Sequence, residues 1–260
     1  MVRAHSNSLR KQQHHLIGQL ANAIEAIWRS QLIAYAYDTP PDLGYVEGTL
    51  EGERLRIENH CYQTSQFRKL HLELAKVGKN LDILHCVMFP RVDYHLPIFG
   101  LDVVAGRGLI SAAIVDLSPV SPKQTLPTEY DEFLTRLPFL QFSQPRTLPA
   151  WGDIFSKFCL FVHPANPQEE IAFFDRATQY LSIHCQIACD TAPIASFEEQ
   201  VSMMAGQRRY CLQQQQNDKT RRILERAFGP EWADRYLQNM LFDYVEDAPN
   251  TVSVTKGKAF

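Results

Sequence analysis

The sequence predicts a mixed α/β protein: a three-layer α/β/α sandwich with a central antiparallel β-sheet flanked by helices. Three observations carry this. Apolar residues recur at helical spacing near the N-terminus, at a period of two from Tyr45 to Pro119, and at helical spacing again from residue 167. The strand-like runs follow one another through short turns, as antiparallel neighbours do. No Gly/Ser/Pro-rich linker or charge block divides the 260 residues, so one domain, 1–260, is expected, with flexible ends at 1–9 and 247–260.

Leu16, Ile17, Leu20, Ile24, Ile27 and Trp28 share a helical face, which predicts an amphipathic helix over residues 10–29. The segment "YVEGTLEGERLRIENHCYQ" reads as a hairpin turning near Glu51-Gly52-Glu53. Strand-like runs follow at Leu70–Val77, Leu81–Phe89, Ile98–Ala105 and Leu109–Pro119. Residues 120–150 are rich in Pro, Ser and Thr and read as irregular, with a helix at Glu129–Leu137. The run "FSKFCLFVHP" suits one more strand or the start of a helix. Residues 167–187, 196–215 and 219–244 read as helices, and "TRRILERAFGPEWADRYLQNMLF" has the clearest amphipathic pattern.

A composition of 45% hydrophobic and 21% charged residues is that of an ordinary globular protein. A formal net charge of −3 argues against a dedicated nucleic-acid binder and leaves room for a local basic patch. The N-terminal stretch has no continuous apolar segment of the secretory kind, and no run of apolar residues is long enough to span a membrane. The six scattered cysteines suit reduced thiols in a cytoplasmic protein.

Side chains alternate faces along a strand, so parity sorts the polar residues. His71 and Glu73 share one face, while Leu70, Leu72 and Leu74 take the other; Ile98, Gly100, Asp102 and Val104 share a face on the third run. The connection Pro90–Pro97 is centred between Asp93 and Tyr94, which places His85 directly opposite Asp102. A type II′ turn at Gly106-Arg107 would then pair Asp102 with Ser111. A two-residue turn at Gly78-Lys79 puts Glu73 on the opposite face from His85. A three-residue turn, Gly78–Asn80 with Asn80 left-handed, puts the two side by side, and the clustering of polar residues favours it. A buried His–Asp pair is often only a hydrogen-bonded core pair, and from spacing alone that reading is as good as a functional one. Against it stands the cost of burying several ionisable groups on one apolar face, a cost proteins commonly accept where protons are moved.

Other motifs fall away. "GRGLISA" leads into a strand instead of a helix, so it is no dinucleotide fingerprint. There is no phosphate loop, no paired cysteine motif and no nucleophile elbow. His184, Cys185 and Cys189 lie on a helix-like stretch without partner ligands. A second polar cluster, "QQQQNDKTRRILERAFG", carries Asn217, Lys219, Arg221, Arg222 and Arg226. It is either a solvated helix face or an anion site that Arg146 of "QPRTLPAWG" could join.

The stretches "LGYVEGTLEGERLRIENHCYQTSQFRKLHLELAKVGKNLDILHCVMFP", "FGLDVVAGRGLISAAIVDLSP", "LPAWGDIFSKFCLFVHP" and "QQQQNDKTRRILERAFG" resemble the ferredoxin-dependent bilin reductases, over about residues 10–245. The resemblance implies the same α/β/α fold, with biliverdin IXα held between the sheet and the C-terminal helices. It implies no bound metal or flavin, electrons delivered singly by an external 2Fe-2S ferredoxin, and protons supplied by the protein to bilin radicals; a monomer is expected separately, because no apolar seam is left over. By motif, Asp102 in "GLDVVAG" would protonate the bilin at its lactam oxygens. His85 in "DILHCVMFP" would be its partner and a second donor, and Glu73 in "HLELAK" would serve the D-ring exovinyl group. His71 would orient this network, and Ser111, Arg146, Asn217 and Lys219 would meet the propionates, with Asp218 a further candidate. A glutamate at position 73 goes, in that family, with D-ring reduction before the A ring, giving phycocyanobilin. Burial beside an apolar ligand is expected to raise the pKa of Asp102. Basic residues around the mouth would steer an acidic ferredoxin. A sister reductase with another product, or a bilin carrier without turnover, are the alternatives.

Overall fold

The computed structural model describes residues 8–244. The ends expected to be flexible lie outside the described residues, apart from Ser8 and Leu9, and Leu9 is fully buried at the start of a short 3-10 turn, Leu9–Lys11. Helix α1, His15–Gln31, starts later than the expected residue 10 because the His14 ring caps it, Nδ1 accepting from Leu16 N at 3.3 Å. Its buried face is Leu16, Ile17, Leu20, Ile24 and Trp28.

The strands follow: β1 Tyr35–Ala36, β2 Tyr45–Leu50, β3 Glu53–Gln63, β4 Phe67–Val77, β5 Leu81–Pro90, β6 Ile98–Gly106 and β7 Leu109–Ser118. Helix α2, Thr128–Arg136, is the one helix in the Pro-rich region, and "FSKFCLFVHP" supplies strand β8, Leu160–Val162. Helices α3, Pro167–Asp190, α4, Phe197–Gln214, α5, Asp218–Phe228, and α6, Pro230–Tyr236, complete the described residues with a π-helical turn, Leu237–Leu241. No helix among the described residues is long and apolar enough to cross a membrane. The eight strands form one antiparallel sheet in the order β1-β3-β4-β5-β6-β7-β8, and β2 also pairs with β3.

The sheet separates two apolar layers. Leu70, Leu72 and Leu74 of β4 join Leu84, Cys86, Leu101 and Val103 against α1 and α3. Each fully buried leucine contributes roughly 1.5–3 kcal/mol relative to exposure. The other face carries Ile57, Ala75, Val87 and Ile98 beneath α4, α5 and α6. The predicted three-layer sandwich is the observed architecture.

Three local expectations are corrected. The β4–β5 turn does have three residues, but Gly78 takes the left-handed conformation (φ +49°) and Asn80 does not. The β6–β7 hairpin turns at Arg107-Gly108, both with positive φ, one residue beyond the expected Gly106-Arg107. A bulge then leaves Ser111 as the extra residue between Ile110, opposite Ala105, and Ala112, opposite Val104. The C-terminal helical segment 219–244 is not continuous: Gly229 (φ +88°) and Pro230 end α5 and start α6.

Candidate active site

His85 and Asp102 stand directly across β5 and β6, and Glu73 stands beside His85 across β4 and β5. His85 Nδ1 lies 2.7 Å from Asp102 Oδ1, the histidine side chain 9% exposed and the aspartate 42%. The expected burial of Asp102 is therefore incomplete; its carboxylate opens into a cavity, and only an apolar ligand would remove it from water. Burial disfavours the charged form of His85, but the Asp102 charge and hydrogen bond, with Glu73, outweigh it and raise the histidine above its ordinary pKa. Ser111 is not opposite Asp102: Ile114 is, because the shifted turn and the bulge together move the register by an odd number of residues.

Glu73 is almost fully buried, and burial raises its pKa against the opposing effects of His85 and the Tyr236 hydroxyl. Tyr236 Oη lies 2.5 Å from Glu73 Oε2 and 3.0 Å from Asn59 Oδ1. The orientation of the Asn59 amide is set by its Nδ2, which donates to Leu43 O at 2.7 Å, so Oδ1 accepts. The phenol donates to Glu73 Oε2, the shorter of its two contacts. His71 Nε2 is 2.7 Å from the same Asn59 Oδ1 and must donate to it, which leaves Nδ1 as the unprotonated nitrogen. Burial, then the charge of Lys69, holds His71 well below the ordinary histidine pKa. His71 Nδ1 and His85 Nε2 are buried without a hydrogen-bond partner among the described residues, on rings 5.8 Å apart.

The C-terminal segment is pinned over these groups by β4. Lys69 is wholly buried, and its Nζ donates to Asn239 O at 3.1 Å, Met240 O at 2.7 Å and Asp243 Oδ1 at 2.8 Å. Arg68 reaches Asp243 Oδ2 from the neighbouring position, at 2.5 Å, because a bulge between Phe67 and Lys69 turns consecutive side chains to one side. Burial presses the Asp243 pKa up, but Arg68 and Lys69 outweigh it and hold it below the usual carboxylate range. The clamp brings Phe242 edge-on to His85, with ring centres 5.8 Å apart.

Between sheet and helices lies a cavity of about 590 Å³. Glu73, His85 and Asp102 line its floor among apolar residues such as Ile57, Ile83 and Ile114; Arg146, Asn217, Asp218 and Lys219 line it too. Asn217 caps α5, its Oδ1 accepting from Lys219 N at 3.3 Å, so the positive end of that helix also faces the cavity. Asp218 is paired with Arg222, Arg221 with Asp234, and Arg226 with Glu51. The other basic residues of the cluster thus serve a solvated helix face, while Lys219 and Arg146 make no ion pair with a carboxylate among the described residues. Ser111 does not line the cavity: its Oγ donates to Val104 O, and its carbonyl accepts from Arg146 Nη1 at 2.6 Å. His71 also stands outside the lining, behind Glu73.

Sequence comparison places the chain in a family. The family model described as ferredoxin-dependent bilin reductase matches residues 21–243. The chain belongs to the ferredoxin-dependent bilin reductases. It is 57% identical over 232 residues to the phycocyanobilin:ferredoxin oxidoreductase of Trichodesmium erythraeum, covering 89% of this chain and 94% of the relative. It is 56% identical over 240 residues to that of Synechococcus elongatus, covering 92% and 97%. The fold matches the crystal structure of tomato phytochromobilin synthase in complex with biliverdin, with a TM-score of 0.74 at 15% identity over 90% of this chain and 85% of that one. The family's electron donor is ferredoxin.

In this bilin reductase, four residues that surround the candidate site had not been singled out from the sequence: Asn59, Lys69, Tyr236 and Phe242. Lys69 was findable, since it shares strand parity with His71 and Glu73 on a face that should be buried. Tyr236 and Phe242 were not, because nothing local in a helical segment says which strand it will cover.

Proposed function

We propose that this bilin reductase converts biliverdin IXα to phycocyanobilin, taking four electrons singly from a reduced 2Fe-2S ferredoxin and four protons through its own side chains. The reading takes it to act as a cytoplasmic monomer, with the D-ring exovinyl group reduced before the A ring. The observation that carries it is the hydrogen-bonded His85–Asp102 pair beside a Glu73 whose pKa burial raises, on the floor of an apolar cavity large enough for an extended organic ligand. The names of the relatives support the choice of product.

Each electron added to a bound bilin makes it a stronger base, so the protein's task is to have a proton ready at each reacting atom. Asp102, open to the cavity, delivers protons to the lactam oxygens, and His85, buried behind it with a raised pKa, recharges it. Glu73, kept protonable by burial and anchored by Tyr236, serves the D-ring vinyl group. His71 holds Asn59 and so the Tyr236 hydroxyl; its role is positioning. Arg146 and Lys219 answer the propionate carboxylates together with Asn217 at the start of α5, Ser111 supports Arg146 through its carbonyl, and Asp218 contacts the ligand rim.

Mixing the purified protein with biliverdin and photoreduced ferredoxin tests this, with absorbance followed in time and the product identified by chromatography. Phycocyanobilin formed through a D-ring-reduced intermediate is the expected result. Another reduced bilin would make it a sister reductase, and biliverdin bound but unchanged would make it a carrier.

A further inference from the structure

On the far side of the sheet from the cavity, the start of α1 meets the first turn of α3. His14 and His15 precede and open α1, and Glu170 belongs to α3. We propose that His14, His15 and Glu170 form a binding site for a divalent transition-metal cation of the zinc class, joining two helices that are far apart in sequence.

One ligand atom from each of the three residues lies within 4.8 Å of the other two. His15 Nε2 is 3.0 Å from Glu170 Oε2, and His14 Nε2 is 3.9 Å from Glu170 Oε1. Ligands bound at about 2.0–2.1 Å around a tetrahedral zinc stand about 3.3 Å apart, a spacing these two distances bracket. An ordinary ion pair does not account for the contact. Glu170 Oε2 is shielded from water and has no hydrogen-bond partner among the described residues, although His15 Nε2 is only 3.0 Å away, so the ring's N–H direction does not point at the oxygen. Two groups that approach this closely without aiming at each other leave room for a third partner on which both can converge.

The set of two imidazoles and one carboxylate is a common one for zinc, and with three protein ligands a water takes the fourth position. Binding through Nε2 moves the His14 ring proton to Nδ1 and gives up the weak 3.3 Å cap from Leu16 N. Asp82 holds the same corner from below, accepting from His14 N at 2.8 Å, and its own charge is answered by Lys76. His15 is 65% exposed and Glu170 14%, so a cation can enter from solvent and seat against a fixed carboxylate. The site is remote from the bilin cavity, so its effect is on stability, through a cross-link between the α1 and α3 layer elements.

The test is calorimetric titration of the chelator-treated full chain with zinc chloride, repeated with cobalt chloride and read by visible absorption. One equivalent bound, tetrahedral cobalt bands, and a thermal midpoint that rises with zinc concentration are expected. His15→Asn, at the rim, and the isosteric Glu170→Gln should each weaken binding at least ten-fold and remove the zinc-dependent rise while leaving the metal-free midpoint and bilin turnover unchanged. Retention of full affinity by the double variant, or no zinc binding by the unmodified chain, would overturn the proposal.

Discussion

Asp102 and His85 face each other across two strands with 2.7 Å between Oδ1 and Nδ1, yet one is open to the cavity and the other is buried. The pair therefore has an outer end that meets a ligand and an inner end that stores a proton. Asp102→Asn removes the charge that raises the His85 pKa and leaves burial to lower it. The His85 ring resonances should then titrate at lower pH in NMR than in the unmodified protein. Turnover should fall about 100-fold or more, the usual contribution of a positioned acid, while biliverdin still binds. Unchanged His85 titration would sink the assignment of the pair as a unit.

Glu73 makes a prediction about stability. Its folded-state pKa is raised by burial, so the folded protein holds this proton more tightly than the unfolded chain. The stabilisation is fully present below the unfolded glutamate range and is lost as pH rises towards the folded pKa. Glu73→Gln, which cannot ionise and still accepts from Tyr236, should therefore gain stability relative to the unmodified protein as pH rises above about 4.5. Denaturant unfolding of both proteins at a series of pH values measures this difference; a difference that does not vary with pH contradicts it.

Arg146 and Lys219 are the cavity cations without a carboxylate partner among the described residues. Each charge-assisted hydrogen bond to a ligand carboxylate is worth about 1.5–3 kcal/mol. Arg146→Ala and Lys219→Ala should each weaken biliverdin binding by about ten-fold or more, read by fluorescence quenching. Binding of a bilin diester should be insensitive to both substitutions. Equal losses with the diester would mean that these residues do not meet the propionates.

Lys69 closes the C-terminal end of the π-helical turn and neutralises Asp243. Lys69→Met strands two carbonyls and leaves Asp243 to Arg68 alone, a loss of about 3 kcal/mol by analogy with broken buried pairs. The urea midpoint should fall accordingly. Because Phe242 packs against His85 through this clamp, the variant should also lower kcat more than it alters biliverdin affinity when assayed below its unfolding transition. A midpoint within error of the unmodified protein would show that the clamp does not hold the segment.

Strand parity and hairpin symmetry were readable along the chain. They put His85 opposite Asp102 and Glu73 beside His85, and both pairings are observed. The first depends only on alternation and the symmetry of one turn; the second was chosen over a two-residue turn by the clustering of the polar residues. The same arithmetic failed at Ser111, because the turn settled one residue later and a bulge absorbed the mismatch. A bulge is chosen by how two strands pack, and no local pattern announces it. Similarly, the apolar periodicity through 219–244 was real, but it could not show that Gly229 would take a left-handed turn and swing α6 over Glu73.

The sequence by itself determined the layers, the meander from β2 to β7 and the set of proton-bearing residues on one face, since periodicity and turn chemistry act between residues close in the chain. The β1–β3 pairing and the β8 edge came only with the structure. Only the tertiary structure decided which of them are buried and what holds them. Tyr236 reaches Glu73, and Lys69 reaches Asp243, from more than 160 positions away. Contacts of that range are set by which helix face covers which strand, and that depends on the packing of the whole core.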